Sequence, residues 1–139
     1  CVFIYECVRV YFPKMSEGKT GNWIFFLLML MLIIVGLWNN SRAYTFFTFI
    51  FSTIVMGLVL IFNNRYKLLA VNRFLISYAI MIIPFLIVNG LLTALPVVQY
   101  NDFENLTIKI YSIPVEDIFY GMLLIMLNII YLTLPVLLQ

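Results

Sequence analysis

The chain has 139 residues, of which 65% are hydrophobic and 10% charged, with a net charge of +2 and no histidine. A soluble domain carries about 25% charged residues, so this composition excludes an ordinary water-facing surface and points to the bilayer. The charge balance is too small to attract nucleic acid. With two cysteines and no histidine, the chain also argues against a zinc site, a histidine-based triad and a disulfide framework.

In chain order, residues 1–12 are apolar but shorter than the ~20 residues a helical crossing needs. They have no initiator methionine or signal-peptide start, and are read as the tail of a truncated preceding transmembrane helix. Residues 13–21 (PKMSEGKTG) form a polar loop, and 22–139 form the main membrane domain. Its spans fall at about 22–38, 44–62, 74–98 and 113–139, and the second follows the short turn at 39–42. The third contains Pro84, with Asn89-Gly90 near its end. The fourth is uncharged from Ile118 onward and stops without a basic flank, which reads as a cut end. The fold class is therefore all-α: a polytopic membrane helical bundle of four full spans plus the truncated N-terminal helix.

Loop charges orient the bundle. With alternating helices, Arg9, Lys14, Lys19, Arg65, Lys67 and Arg73 share one side, and Arg42 and Lys109 the other. The positive-inside bias makes the first side cytoplasmic, residues 13–21 included. The loop at 99–112 and the acidic turn at 113–117 then face outward. The bundle is expected to be a multi-pass protein of a bacterial inner (plasma) membrane.

The acidic turn Ile113-Pro114-Val115-Glu116-Asp117 opens the fourth span. Pro114 suits the first helical position, where its missing N–H costs nothing. Glu116 and Asp117 then lie in the first turn, near the positive end of the helix dipole. Plain helix capping accounts for acids there, at up to ~1 kcal/mol. Against that bland reading, Asp117, Gly121, Leu124 and Asn128 fall on one helical face. This stripe should face a cavity or a neighbouring helix, with positions 119, 123 and 126 toward lipid. Glu116 points roughly 100° away, toward a different partner.

Other polar residues carry less. Asn89 has interhelical hydrogen bonding as its bland reading. Thr45, Thr48 and Ser52 make a hydroxyl stripe on the second span that can bond back to its own helix. Glu6 fits a salt bridge to Arg9 at i+3. Phe119 and Tyr120, beside the carboxylates, offer π faces to a cation. The tripeptides Asn39-Asn40-Ser41 and Asn105-Leu106-Thr107 match glycosylation sequons, which are frequent by chance.

The stretch 89–102 (NGLLTALPVVQYND), followed by Ile108-Lys109-Ile110 and the turn 113–120 (IPVEDIFY), resembles the integral-membrane lycopene cyclase family. This is the bacterial and fungal type, built from two homologous multi-helix halves. Each half carries a turn of the form Pro-x-Glu-(Glu/Asp) followed by aromatics. The match is to the second half, with Pro114, Glu116, Asp117, Phe119 and Tyr120 on the motif. Residues 1–12, with Tyr5 and Glu6, resemble the segment just after the first half's acidic turn, and that turn is not in this chain.

The resemblance implies a carotenoid β-cyclase. The reaction is redox-neutral: an acid protonates the terminal alkene of lycopene's ψ-end, the internal alkene attacks the carbocation, and a base removes a ring proton. It calls for a protonated carboxylic acid in a low-dielectric site, a base and aromatic faces, with no cofactor or metal. Glu116 and Asp117 are the implied catalytic pair, in either assignment, with Pro114, Phe119, Tyr120, Asn89 and Asn128 toward the substrate. Implied partners are membrane lipid, a hydrophobic carotenoid, and the first half of the same protein or a homologous subunit. Two alternatives stay open. One is a non-catalytic membrane subunit, the partner half of a heterodimeric cyclase. The other is a carrier or channel component, disfavoured because no charge lies mid-membrane.

Overall fold

Among the described residues five α-helices form, and four are long and apolar enough to cross a bilayer. The computed structural model describes residues 2–13, 19–66, 69–95, 97–98, 100–101 and 103–137, with side chains except at 19, 64–66 and 134–137. In order come α1 (Val2–Tyr11), α2 (Lys19–Trp38), α3 (Ala43–Tyr66) and α4 (Val71–Ala94). The hairpin β1 (Lys109–Ile110) and β2 (Ile113–Pro114) then leads into α5 (Val115–Leu137). The four long helices have 20, 24, 24 and 23 residues. At ~1.5 Å per residue each matches or exceeds the ~30 Å of hydrocarbon in a bilayer.

The short α2–α3 connection works because its backbone groups find partners locally. Asn39 donates to the Val35 carbonyl from both its backbone N (3.1 Å) and its Nδ2 (3.0 Å), which ends α2. Arg42 N then donates to Asn39 O at 3.0 Å, and α3 starts at once. The two helices therefore pack as an antiparallel pair.

α3 shows what the bundle does with its polar groups. Thr45, Thr48, Phe49, Ser52, Met56 and Val59 recur at helical spacing and are buried. Phe47, Phe51, Ile54, Leu58 and Ile61 take the opposite face and are exposed. Hydroxyls inward, with Phe47 and Phe51 outward, is the pattern of a helix in lipid, where apolar side chains gain little by hiding. α5 packs chiefly on this inward face of α3. Phe49 meets Phe119 edge-on at 5.2 Å, and Met122, Met126 and Ile129 fill the core. Phe74 brings α4 onto α2, edge-on to Phe25 at 6.1 Å.

α1 lies against the start of α4. Ala70 N donates to Tyr5 Oη at 3.3 Å, and Arg73 Nη2 donates to Pro13 O at 3.3 Å. Glu6 and Arg9 form the expected i,i+3 ion pair, at 2.8 Å. This end of the bundle is opposite the one where Arg42 meets the connecting segment, through its guanidinium and the Asn105 carbonyl. α4 runs unbroken through Pro84, whose absent N–H leaves the carbonyl one turn back without its helical donor.

Several details differ from the sequence reading. α2 begins at Lys19, inside the stretch read as loop, while residues 14–18 lie outside the described residues. α4 starts at Val71 and ends at Ala94, where Leu95 N caps back to Leu91 O. Pro114 is not in the first turn of α5 but in β2, paired with Lys109, so Val115 starts the helix. The split of α5 into a polar inner face and a lipid-facing side at 119, 123 and 126 is overturned. Leu123 and Met126 are buried and Phe119 is packed against the core, whereas Leu124 and Asn128 are exposed. Packing against the hydroxyl face of α3 decides this orientation. Thr45 does not bond back to its own helix either, but reaches across to α5.

Candidate active site

Three segments meet at the end of the bundle where α5 begins. They are the first turn of α3, the last turns of α4, and the connecting segment from Tyr100 to the hairpin. Each has unpaired backbone donors or polar side chains, and the first turn of α5 offers two carboxylates to them.

Glu116 is fully buried. Its Oε1 accepts from Thr45 Oγ1 at 2.5 Å and from the backbone N–H of Leu106 at 2.6 Å. Its Oε2 is also buried and has no hydrogen-bond partner among the described residues. A buried carboxyl oxygen without a partner is costly, and this sets Oε2 apart from the doubly bonded Oε1.

Asp117 is 4% exposed and takes up a different environment. Tyr44 Oη donates to its Oδ1 and Tyr100 Oη to its Oδ2. Asn89 Nδ2 adds a longer contact to Oδ2 at 3.4 Å. Donation from two phenols and an amide is the pattern that holds an anion in place. The same contact acts on the phenol: burial first, then the bond to Asp117 and its charge, push the Tyr100 hydroxyl above its ordinary value of 10.0.

A cavity of about 220 Å³ opens beside Asp117, lined by Tyr44, Phe85, Asn89, Tyr100, Tyr120, Gly121 and Leu124. The Tyr44 and Tyr100 rings stand 6.4 Å apart at 40°. Four aromatic rings and one carboxylate make a wall suited to positive charge developing on an apolar molecule.

The fold thus gathers Asp117, Asn89 and Tyr120 at the cavity, whereas Glu116 is fully buried beside Thr45 and Leu106 and does not line it. Pro114 is buried behind the turn as part of the hairpin. Phe119 faces away from the cavity into the core against Phe49. Asn128 is exposed and donates to Leu124 O at 2.7 Å, within its own helix. The sequence reading missed Tyr44, Tyr100, Phe85 and the Leu106 N–H. The hydroxyl stripe headed by Thr45 lay beside Tyr44, and Tyr100 fell within the stretch 89–102 that carries the resemblance, but neither signal singled out a phenol. Asn105 of the second sequon is buried, its Oδ1 accepting from Thr107 N at 2.8 Å, so it is no glycan acceptor in this fold.

The chain is thus a polytopic helical bundle with one carboxylate on an aromatic cavity and a second buried beside it. The model of the lycopene cyclase family matches residues 40–134, and the chain belongs to that family. That stretch contains α3, α4, the hairpin, the acidic turn and most of α5. No curated protein and no solved structure matches the chain. The protein is accordingly an integral, multi-pass membrane protein of the carotenoid-cyclising class.

Proposed function

We propose that the protein is a lycopene β-cyclase domain, converting the ψ-end of an acyclic carotenoid into a β-ring inside the membrane. The observation that carries this reading is the unlike treatment of two adjacent carboxyls. Glu116 has a bare, buried Oε2, and Asp117 faces the aromatic cavity under three donors. A proton-initiated cyclisation needs one carboxyl of each kind. In this reading Glu116 carries the proton on Oε2 and gives it to the terminal alkene. The internal alkene then closes on the carbocation. Asp117 steadies the cation together with the faces of Tyr44, Tyr100 and Tyr120, and its carboxylate receives the proton lost from the ring. One proton is gained and one lost, so substrate and product are isomers.

The domain works with a homologous half carrying a second Pro-x-Glu-(Glu/Asp) turn, supplied by the same protein or by a subunit. The excess of basic residues at the α1–α4 end supports a cytoplasmic position for that end, in a bacterial plasma membrane, and an outward position for the site.

The test is Glu116→Gln and Asp117→Asn in a lycopene-accumulating host that also supplies the first half. Each should lower ring product per folded protein by about 10²–10⁴-fold, the usual contribution of general acid–base catalysis. Neighbouring carboxyls can share a proton, so both variants are needed. Near-normal cyclisation by both would leave the turn as a helix cap and sink the assignment.

A further inference from the structure

The segment 104–108 belongs to neither helix of the site, yet it is tied to both. On the α3 side, Ala43 N donates to Glu104 Oε2 at 3.2 Å and Thr45 N to Glu104 O at 3.3 Å. These are orphan donors of the first turn of α3, capped by a segment some sixty residues away. The Arg42 guanidinium donates to Asn105 O. On the α5 side, Val115 N donates to Ile108 O at 3.0 Å. Between these anchors, Leu106 N–H meets Glu116 Oε1.

The backbone is strained to do this. Thr107 has φ 61°, a left-handed conformation that a β-branched residue adopts only at a cost. The side chain that holds it there is Asn105, buried to 1% exposure, through Oδ1 to Thr107 N. Asn105 is therefore gripped from two directions, at its carbonyl by Arg42 and at its side chain by Thr107. The next residue in the chain is the one whose N–H reaches the acid.

We propose that Asn105 is a positioning residue: with Arg42 it fixes the strained 105–107 turn so that Leu106 N–H occupies Glu116 Oε1 and leaves Oε2 for substrate. The catalytic consequence rests on the cyclase reading above, whereas the hydrogen bond to Glu116 can be measured without it. Under this arrangement the turn acts on the proton-transfer step through Glu116 and leaves carotenoid uptake alone.

The experiment compares Asn105→Ala with Asn105→Ser, whose hydroxyl can still accept from Thr107 N, and with Arg42→Ala, which loosens the turn from outside the buried pocket. Each full chain is co-expressed with the first half, and product per folded protein is measured across carotenoid concentrations in membranes. The carboxyl infrared band of Glu116, whether the C=O stretch of the acid or the carboxylate stretches, is assigned by its loss in Glu116→Gln and recorded alongside. Asn105→Ala and Arg42→Ala should shift that band. Asn105→Ala should lower maximal turnover by about 10²-fold, as a misplaced catalytic group does, with the half-saturating carotenoid concentration unchanged. Asn105→Ser should restore both band and turnover. If Asn105→Ala does not fold, the Arg42→Ala band decides. An unmoved Glu116 band overturns the proposal, even where activity falls. A shifted band in a protein whose wild type makes no cyclic product would instead reject the cyclase reading and keep the positioning role.

Discussion

Around Asp117, donors come from three places that are far apart in the chain: Tyr44 is 73 residues away, Asn89 is 28 and Tyr100 is 17. Helical periodicity speaks only of neighbours three and four residues apart, so it placed the two acids and the polarity of Asn89 but neither phenol. Both tyrosines sit where an aromatic girdle at the membrane surface would put them anyway, which conceals their bonds to Asp117. Their separation from bulk tyrosines can be tested. Tyr100→Phe keeps the ring and deletes only the donor to Asp117. A hydrogen bond to a charged group is worth about 1.5–3 kcal/mol, or roughly 10- to 100-fold in rate if the bond is fully used in the transition state. Turnover per folded protein should fall by that order. Tyr111→Phe, at the exposed hairpin tip, should leave it unchanged. Equal activity in the two variants would remove Tyr100 from the site.

The helices were legible because each is a nearly uncharged run bounded by polar turns, the strongest signal a sequence offers. Their faces were less so. In α5 a stripe from Asp117 to Asn128 looked like the inward side, because polar residues in a membrane helix usually turn inward. The Met122–Met126–Ile129 surface won the contact with α3 instead, and Asn128 satisfied itself on its own helix. The hairpin was hidden for another reason. Its turn places Tyr111 at φ 62° without the glycine or asparagine that normally announces one. Glycines within the helices do report on packing. A Cβ on Gly121 would lie 3.2 Å from Phe85 Cε2 and 3.4 Å from Cζ, against a wall of the cavity. One on Gly57 would meet only Met29 Sδ, at an ordinary 3.8 Å. Gly121→Ala should therefore press Phe85 into the cavity and narrow it, with overpacking of about 1–3 kcal/mol offset by up to ~1 kcal/mol of helix propensity, a net destabilisation of up to about 2 kcal/mol. Gly57→Ala should be neutral or stabilising, by up to ~1 kcal/mol of helix propensity. Thermal unfolding in detergent checks both, and an unfolding temperature unchanged by Gly121→Ala would show that α4 and α5 are not in close contact there.

Across the described residues the charged groups separate to two ends. At one, α1 carries the Glu6–Arg9 pair and the start of α4 holds Arg73 on the Pro13 carbonyl. At the other, the starts of α3 and α5 hold the carboxylates under residues 100–108. The distribution of basic residues argues that the first end is cytoplasmic, and a hydrocarbon substrate would reach the second from the outer leaflet. The placement is testable with single cysteines in a chain whose Cys1 and Cys7 are replaced by serine. Tyr111→Cys sits at the hairpin tip, 86% exposed, and Phe12→Cys lies beyond α1, 53% exposed. In intact cells a membrane-impermeant thiol reagent should label the first and not the second. After lysis both should react. A fluorescent reporter inserted in the connection between α3 and α4 should read cytoplasmic, as an independent check on the same end. Labelling of Phe12→Cys in intact cells, with Tyr111→Cys protected, would invert the bundle and put the acidic turn at the inner leaflet. The carboxylate geometry would survive that outcome, because it depends on which helices meet and not on the side they face. What would change, under the proposed mechanism, is the route of the substrate and the compartment from which Glu116 would regain its proton.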